Sequence, residues 1–246
     1  VKAALLSWLL FPVYVWQGTA VRRRTERMRP PAGPSRGTVG LSGPDGRDEP
    51  AIRLLVIGDS SAAGVGVDAV EDSLAPRLAE RLHVISGLGV AWRAAGSNSA
   101  VSAQLRDFVV PNLARDAFTH IVLMIGSNDA KNFHGRLRFK KAFGGLLYAL
   151  RAKWPEARIV WSPPVDLRRV PALPRGLATV LELRASVIRQ MGERLCNERG
   201  AIAATPLPRV EPAGFARDGF HASAEGYAYM AGHLADYVLG DRLKAD

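Results

Sequence analysis

Three short stretches carry residue types that could do chemistry together. Gly58-Asp59-Ser60 follows an apolar run over residues 54–57, so a serine hydroxyl stands at the carboxyl end of a buried strand, where it is a candidate nucleophile. Gly126-Ser127-Asn128-Asp129 follows a second apolar run over 121–125 and places a carboxamide, a good donor to an oxygen gaining negative charge, at another strand end. Asp218-Gly219-Phe220-His221 has the spacing at which a short turn folds a carboxylate onto one imidazole nitrogen, leaving the other to take a proton from Ser60. A hydroxyl, a base with its orienting acid and an oxyanion donor are the parts of acyl transfer. Taken singly, each stretch also reads as an ordinary turn: a helix cap, an Asn-Asp corner, an Asp-Gly turn with a surface histidine.

The elements that must position these residues alternate. Apolar runs predict strands over 52–58, 90–95, 121–125, 158–161 and 201–204, and helical spacing predicts helices over 73–84, 102–109, 137–154, 177–199 and 222–239. Strict alternation implies a parallel sheet with helices on both faces and right-handed crossovers. In such a sheet ligands gather at the carboxyl ends of the strands, which is where Ser60 and Asn128 fall.

In their order and placement the three stretches resemble the SGNH hydrolases, also called GDSL esterases and lipases, over residues 52–239. The resemblance implies a single three-layer α/β/α domain with a five-stranded parallel sheet over 51–246. It also implies Ser60 as nucleophile, His221 as general base, Asp218 as the group that orients it, and an oxyanion hole from Asn128 and the backbone N–H of Ser60. The family's glycine block after the second strand is altered here to Ala95-Gly96-Ser97-Asn98-Ser99-Ala100, so the third backbone donor is Gly96 or Ser99. Ser61 stands where many members carry leucine. The implied substrate is a carboxylic ester or thioester: a lipid or other acyl ester first, a carbohydrate O-acetyl ester as the alternative, with a catalytically silent, membrane-tethered binding module as the non-enzymatic reading.

Composition narrows the field. The chain has 246 residues, 48% of them hydrophobic, enough for a full core. It has one cysteine, Cys196, and five scattered histidines, which leaves no intramolecular disulfide and no expected metal or other cofactor. No Gly-x-Ser-x-Gly elbow occurs, and the glycines at 58, 64 and 66 match neither dinucleotide nor phosphate-loop spacing. The net charge is +10, but the basic residues Arg22, Arg23, Arg24, Arg27 and Arg29 directly follow an uncharged apolar segment over 3–20. That adjacency matches an anionic membrane surface rather than nucleic acid. Residues 1–28 are accordingly expected to associate with a membrane through an apolar helix that Pro12 would kink, with the catalytic domain on the cytoplasmic side. Residues 29–50, rich in proline and glycine, read as a linker. The loop after the fourth strand, with Val165, Leu167, Arg168, Arg169 and Val170, should overhang the site. The sequence does not indicate an oligomeric state.

Overall fold

The structure is a computed structural model that describes residues 2–41, 49–208 and 211–240; part of the expected linker, 42–48, lies outside the described residues. Its helices are α1 (Lys2–Leu9), α2 (Phe11–Arg24), α3 (Leu74–Ser86), α4 (Ser102–Gln104), α5 (Val110–Asn112), α6 (Ser127–Lys131), α7 (Arg136–Lys153), α8 (Arg175–Glu198) and α9 (Ala224–Leu239). The strands are β1 (Arg36–Val39), β2 (Ile52–Gly58), β3 (Val90–Gly96), β4 (His120–Met124), β5 (Arg158–Ser162) and β6 (Ile202–Ala203), in the order β1-β3-β2-β4-β5-β6. The five expected strands are present and parallel. The sheet nevertheless has six strands rather than five, because β1 adds an antiparallel edge to β3, from Arg36 opposite Arg93 to Val39 opposite Val90. Its sequence, Arg-Gly-Thr-Val, lies in the stretch read as a linker; a four-residue edge strand needs main-chain pairing more than an apolar pattern.

Alternate residues of each strand feed opposite cores, as the period of two requires. Leu55, Ile57, Leu123, Ile159 and Trp161 pack with Phe139, Phe143 and Leu146 of α7 and Leu181 and Ile188 of α8. Leu54, Val56, Val122 and Val160 pack with Leu74, Leu78 and Leu82 of α3 and Tyr227, Leu234 and Val238 of α9. Truncating any one of these enclosed leucines to alanine costs about 2–5 kcal/mol. The chain leaves β2 toward β3 on one side and then returns to build β4, β5 and β6 on the other. The crevice between the carboxyl ends of β2 and β4 is therefore the topological switch point, the standard binding position in an open α/β sheet.

The amino-terminal segment is not one helix but two, α1 and α2, bent by 65° with Pro12 in the first turn of the second, where proline is tolerated. One side of the pair is fastened to the domain. The Tyr14 hydroxyl donates to the Lys131 carbonyl (2.6 Å), the Leu177 N–H donates to Gln17 Oε1 (2.7 Å), and the buried Arg184 guanidinium donates to Ser7 Oγ (3.3 Å) and to the carbonyl of His134 (2.6 Å). Trp8 and Phe11 meet the Phe133 ring edge-on and Tyr14 packs tilted against it. The other side leaves Leu9 76% and Trp16 72% exposed, with Leu5 and Leu6 beside them. Among the described residues no single helix is long and apolar enough to cross a membrane; the bent pair passes only when taken together.

Candidate active site

Ser60 leaves β2 in a tight turn fixed by main-chain bonds. Asp59 N–H donates to the Met124 carbonyl (2.9 Å), Ala63 N–H to that of Asp59 (3.1 Å) and Val65 N–H to that of Ser60 (3.0 Å), and none of these takes up the N–H of Ser60. Asp59 Oδ1 accepts the Ser61 N–H (3.0 Å), which orients the turn from inside. Burial raises the Asp59 carboxyl pKa against the lowering effects of the Ser61 N–H and of Lys131. The turn is clamped to the carboxyl-terminal part of the domain by Tyr227, whose buried hydroxyl donates to the Val65 carbonyl (2.7 Å). Gly66 sits at φ +118°, and a Cβ there would lie 2.1 Å from the Ala222 carbonyl oxygen, so this close approach beside His221 requires glycine.

The 218–221 turn forms as its spacing suggests. Asp218 Oδ1 accepts the N–H groups of Phe220 (2.9 Å) and His221 (3.0 Å), and Oδ2 meets His221 Nδ1 at 2.5 Å, leaving Nε2 as the unengaged ring nitrogen. The Asp218 side chain is fully buried. Burial pushes its pKa up, but the hydrogen bonds from the imidazole and the two N–H groups outweigh that and hold it below the ordinary carboxylate value. The loop ends at Ser223, whose hydroxyl accepts the Gly226 N–H (3.1 Å) and caps α9.

Asn128 lies in α6, a helix where an Asn-Asp turn is the simplest expectation. Its Nδ2 donates to the Ala100 carbonyl (2.9 Å) and more weakly to Asp59 Oδ2 (3.4 Å). The next residue braces the helix: Asp129, fully enclosed, accepts the N–H and hydroxyl of Ser102 (3.1 and 2.8 Å) and pairs with His134 Nδ1 (2.9 Å). This Ser102–Asp129–His134 brace has no signature in sequence spacing, since Ser102 is 27 residues away from Asp129.

Ser60, Asn128 and His221 line one cleft of about 500 Å³, with Asp218 behind the imidazole. Apolar walls come from Met124, Ile125 and Phe215 and from Val165, Leu167 and Val170 of the loop after β5. Arg168 does not line the cleft; it pairs with Asp166, as Arg169 does more loosely. Lys131 does line it, its ammonium 4.5 Å from the centroid of the Phe220 ring. Gly96 and Ser99 are not part of the cleft wall. A Cβ on Gly96 would fall 2.0 Å from the Ala63 N, so Gly96 serves close packing of β3 on the Ser60 turn, and Ser99 is exposed with φ +64°. Cys196 is enclosed in the core, and burial together with Glu193 pushes its thiol to about 12, far from a reactive thiolate. Among the described residues no three His, Cys, Asp or Glu side chains gather as metal ligands.

No curated protein sequence matches this chain significantly. Solved structures share its fold at low identity. A family 3 carbohydrate esterase from Clostridium thermocellum is 17% identical, over 78% of this chain and 96% of its own, with a TM-score of 0.62. A carbohydrate acetylesterase from Sinorhizobium meliloti is 17% identical, over 75% and 97%, with a TM-score of 0.56. Phospholipase A1 from Streptomyces albidoflavus NA297 is 16% identical, over 76% and 100%, with a TM-score of 0.55. The sequence model of the GDSL-like Lipase/Acylhydrolase family matches residues 56–229, from within β2 to within α9, and so takes in all three chemistry-bearing strand ends and loops. The chain belongs to that family and is an ester hydrolase of the esterase and lipase type.

Proposed function

We propose that the protein hydrolyses acyl esters through Ser60, with His221 as general base, Asp218 as its orienting acid and an oxyanion hole from the Asn128 amide and the Ser60 N–H. The observation that carries this reading is the 2.5 Å Asp218–His221 contact on the cleft shared by Ser60 and Asn128. Nδ1 is held by Asp218, so Nε2 takes the hydroxyl proton as Ser60 Oγ attacks the ester carbonyl. The tetrahedral oxyanion draws the Asn128 donor away from its long contact with Asp59, and its collapse releases the alcohol, protonated by His221. Water, deprotonated by the same imidazole, then frees the acid from the acyl-enzyme. A third backbone N–H, from Gly96 or Ser99, would complete the hole.

The apolar walls favour an acyl chain longer than acetyl. Turnover of p-nitrophenyl esters from acetate to dodecanoate is expected to peak above acetate and to vanish in Ser60→Ala. A peak at acetate would instead support a carbohydrate O-acetyl esterase, and a folded protein inert to every ester would support a binding module.

We further propose that α1 and α2 lie in a membrane interface. Leu5, Leu6, Leu9 and Trp16 point away from the domain and are followed by Arg22, Arg23 and Arg24, an arrangement matched to apolar insertion beneath anionic headgroups. The hydrogen bonds of Ser7 in α1 and of Tyr14 and Gln17 in α2 to the domain favour lying on the surface over spanning. Sedimentation with vesicles containing phosphatidylserine should exceed that with phosphatidylcholine alone; equal and negligible sedimentation with both would overturn the placement.

A further inference from the structure

Among the described residues Lys131 is the one lysine or arginine that lines the cleft, and the proposed reaction leaves its charge unused. It closes α6 three residues beyond Asn128, which puts both on one side of the helix, and both line the cleft with Ser60 and His221. Its ammonium rests over the Phe220 ring, and among the described residues it makes no ion pair within 4 Å. Burial lowers its pKa, the buried Asp59 opposes that, and Arg22 of α2 lowers it further. Asp59 is a poor counter-charge: one oxygen accepts the Ser61 N–H, the other faces Asn128, and burial favours its neutral form. The apolar cleft that carries Ser60 thus also holds an ammonium, with a second cation, Arg22, acting on it and without an ion-pair partner among the described residues. A desolvated cation in such a place is stabilised most by an anion that the ligand brings.

We propose that Lys131 forms an anion subsite that selects acyl esters whose alcohol carries a phosphate or carboxylate, held next to the Ser60 hydroxyl. This rests on Ser60-dependent ester hydrolysis. Arg168 and Arg169, the cations of the loop after β5, are instead engaged with Asp166.

The test compares three soluble esters of one acid: hexanoyl glycerol, hexanoyl glycerol 3-phosphate and hexanoyl glycolate. Wild type should favour at least one anionic ester over the neutral one in kcat/KM, and which one separates phosphate from carboxylate recognition. In Lys131→Met that anionic-to-neutral ratio should fall about 10- to 100-fold, the worth of one charge-assisted hydrogen bond, mainly through KM, and Lys131→Arg should restore part of it. Glycerol 3-phosphate or glycolate, according to the preferred ester, should inhibit wild type competitively, a readout that requires no variant to fold. Equal treatment of neutral and anionic esters by wild type, or an equal loss on both in Lys131→Met, would overturn the subsite while leaving the hydrolase reading intact. Failure of wild type to cleave even the neutral ester would strike the hydrolase reading itself.

Discussion

Replacing Asn128 by alanine separates two roles that one side chain plays. Nδ2 donates to the carbonyl of the enclosed Ala100 at 2.9 Å and lies 3.4 Å from Asp59 Oδ2, the long end of the hydrogen-bonding range. The weaker contact is the one an oxyanion can displace. Its loss should lower kcat by about 10²–10³-fold, with KM little changed, because the interaction is strongest in the transition state. Loss of the first bond leaves a buried carbonyl unpaired and should cost about 1–3 kcal/mol of stability. At about 2–4 °C per kcal/mol for a domain of this size, Tm should drop by several degrees without loss of cooperativity. Steady-state kinetics on a soluble ester and a thermal melt on the same preparation read both effects. A folded Asn128→Ala enzyme with near-normal kcat would remove the residue from the oxyanion hole, whatever its Tm.

Asp218→Asn keeps an oxygen for the N–H groups of Phe220 and His221 but turns an NH2 toward Nδ1, imposing the wrong tautomer; kcat should fall by about 10⁴-fold with little change in Tm, measured at saturating ester. Gly66→Ala places a methyl group against the Ala222 carbonyl in a left-handed region, so it should destabilise by about 1–3 kcal/mol and, by displacing His221 relative to Ser60, lower kcat about 10²-fold; a melt and an esterase assay would show unaltered behaviour if that approach were unimportant. His120, enclosed at the start of β4 beside Arg158, titrates at about 4, burial being the larger cause. The unfolded chain therefore binds the extra proton between pH 6.5 and 4, and stability present above that window is lost as pH falls through it, by on the order of 3 kcal/mol in full. Urea midpoints for wild type should fall between pH 7 and 5 more steeply than those for His120→Gln, and parallel slopes would refute the assignment.

The parts of the molecule legible in its sequence are those encoded locally. The strands β2 and β4 are apolar runs that end in a turn, and Ser60 and Asn128 are found at strand ends because the apolar pattern stops just before them. Asp218 and His221 interact across a single turn, so their spacing alone suggests their hydrogen bond. Where the decisive contact is distant, the sequence is silent. The polar edge strand β1 exists through its main-chain pairing with β3, and Asp129 finds Ser102 across the intervening helical segment and β4. Nothing in the sequence singles out Lys131, whose ring neighbour Phe220 comes from the distant 218–221 turn. Composition shows the amino-terminal segment to be apolar but not that Phe133 and the α8 surface cover one side of it.

The central claim, that Ser60 is a nucleophile activated by His221, is tested most directly by intact-mass and peptide-mapping measurements after treatment with a fluorophosphonate. Wild type should gain one adduct, mapped to Ser60; Ser60→Ala should gain none, and His221→Ala should react at least about a hundredfold more slowly. An adduct on Ser61, or labelling of Ser60→Ala at the wild-type rate, would contradict it.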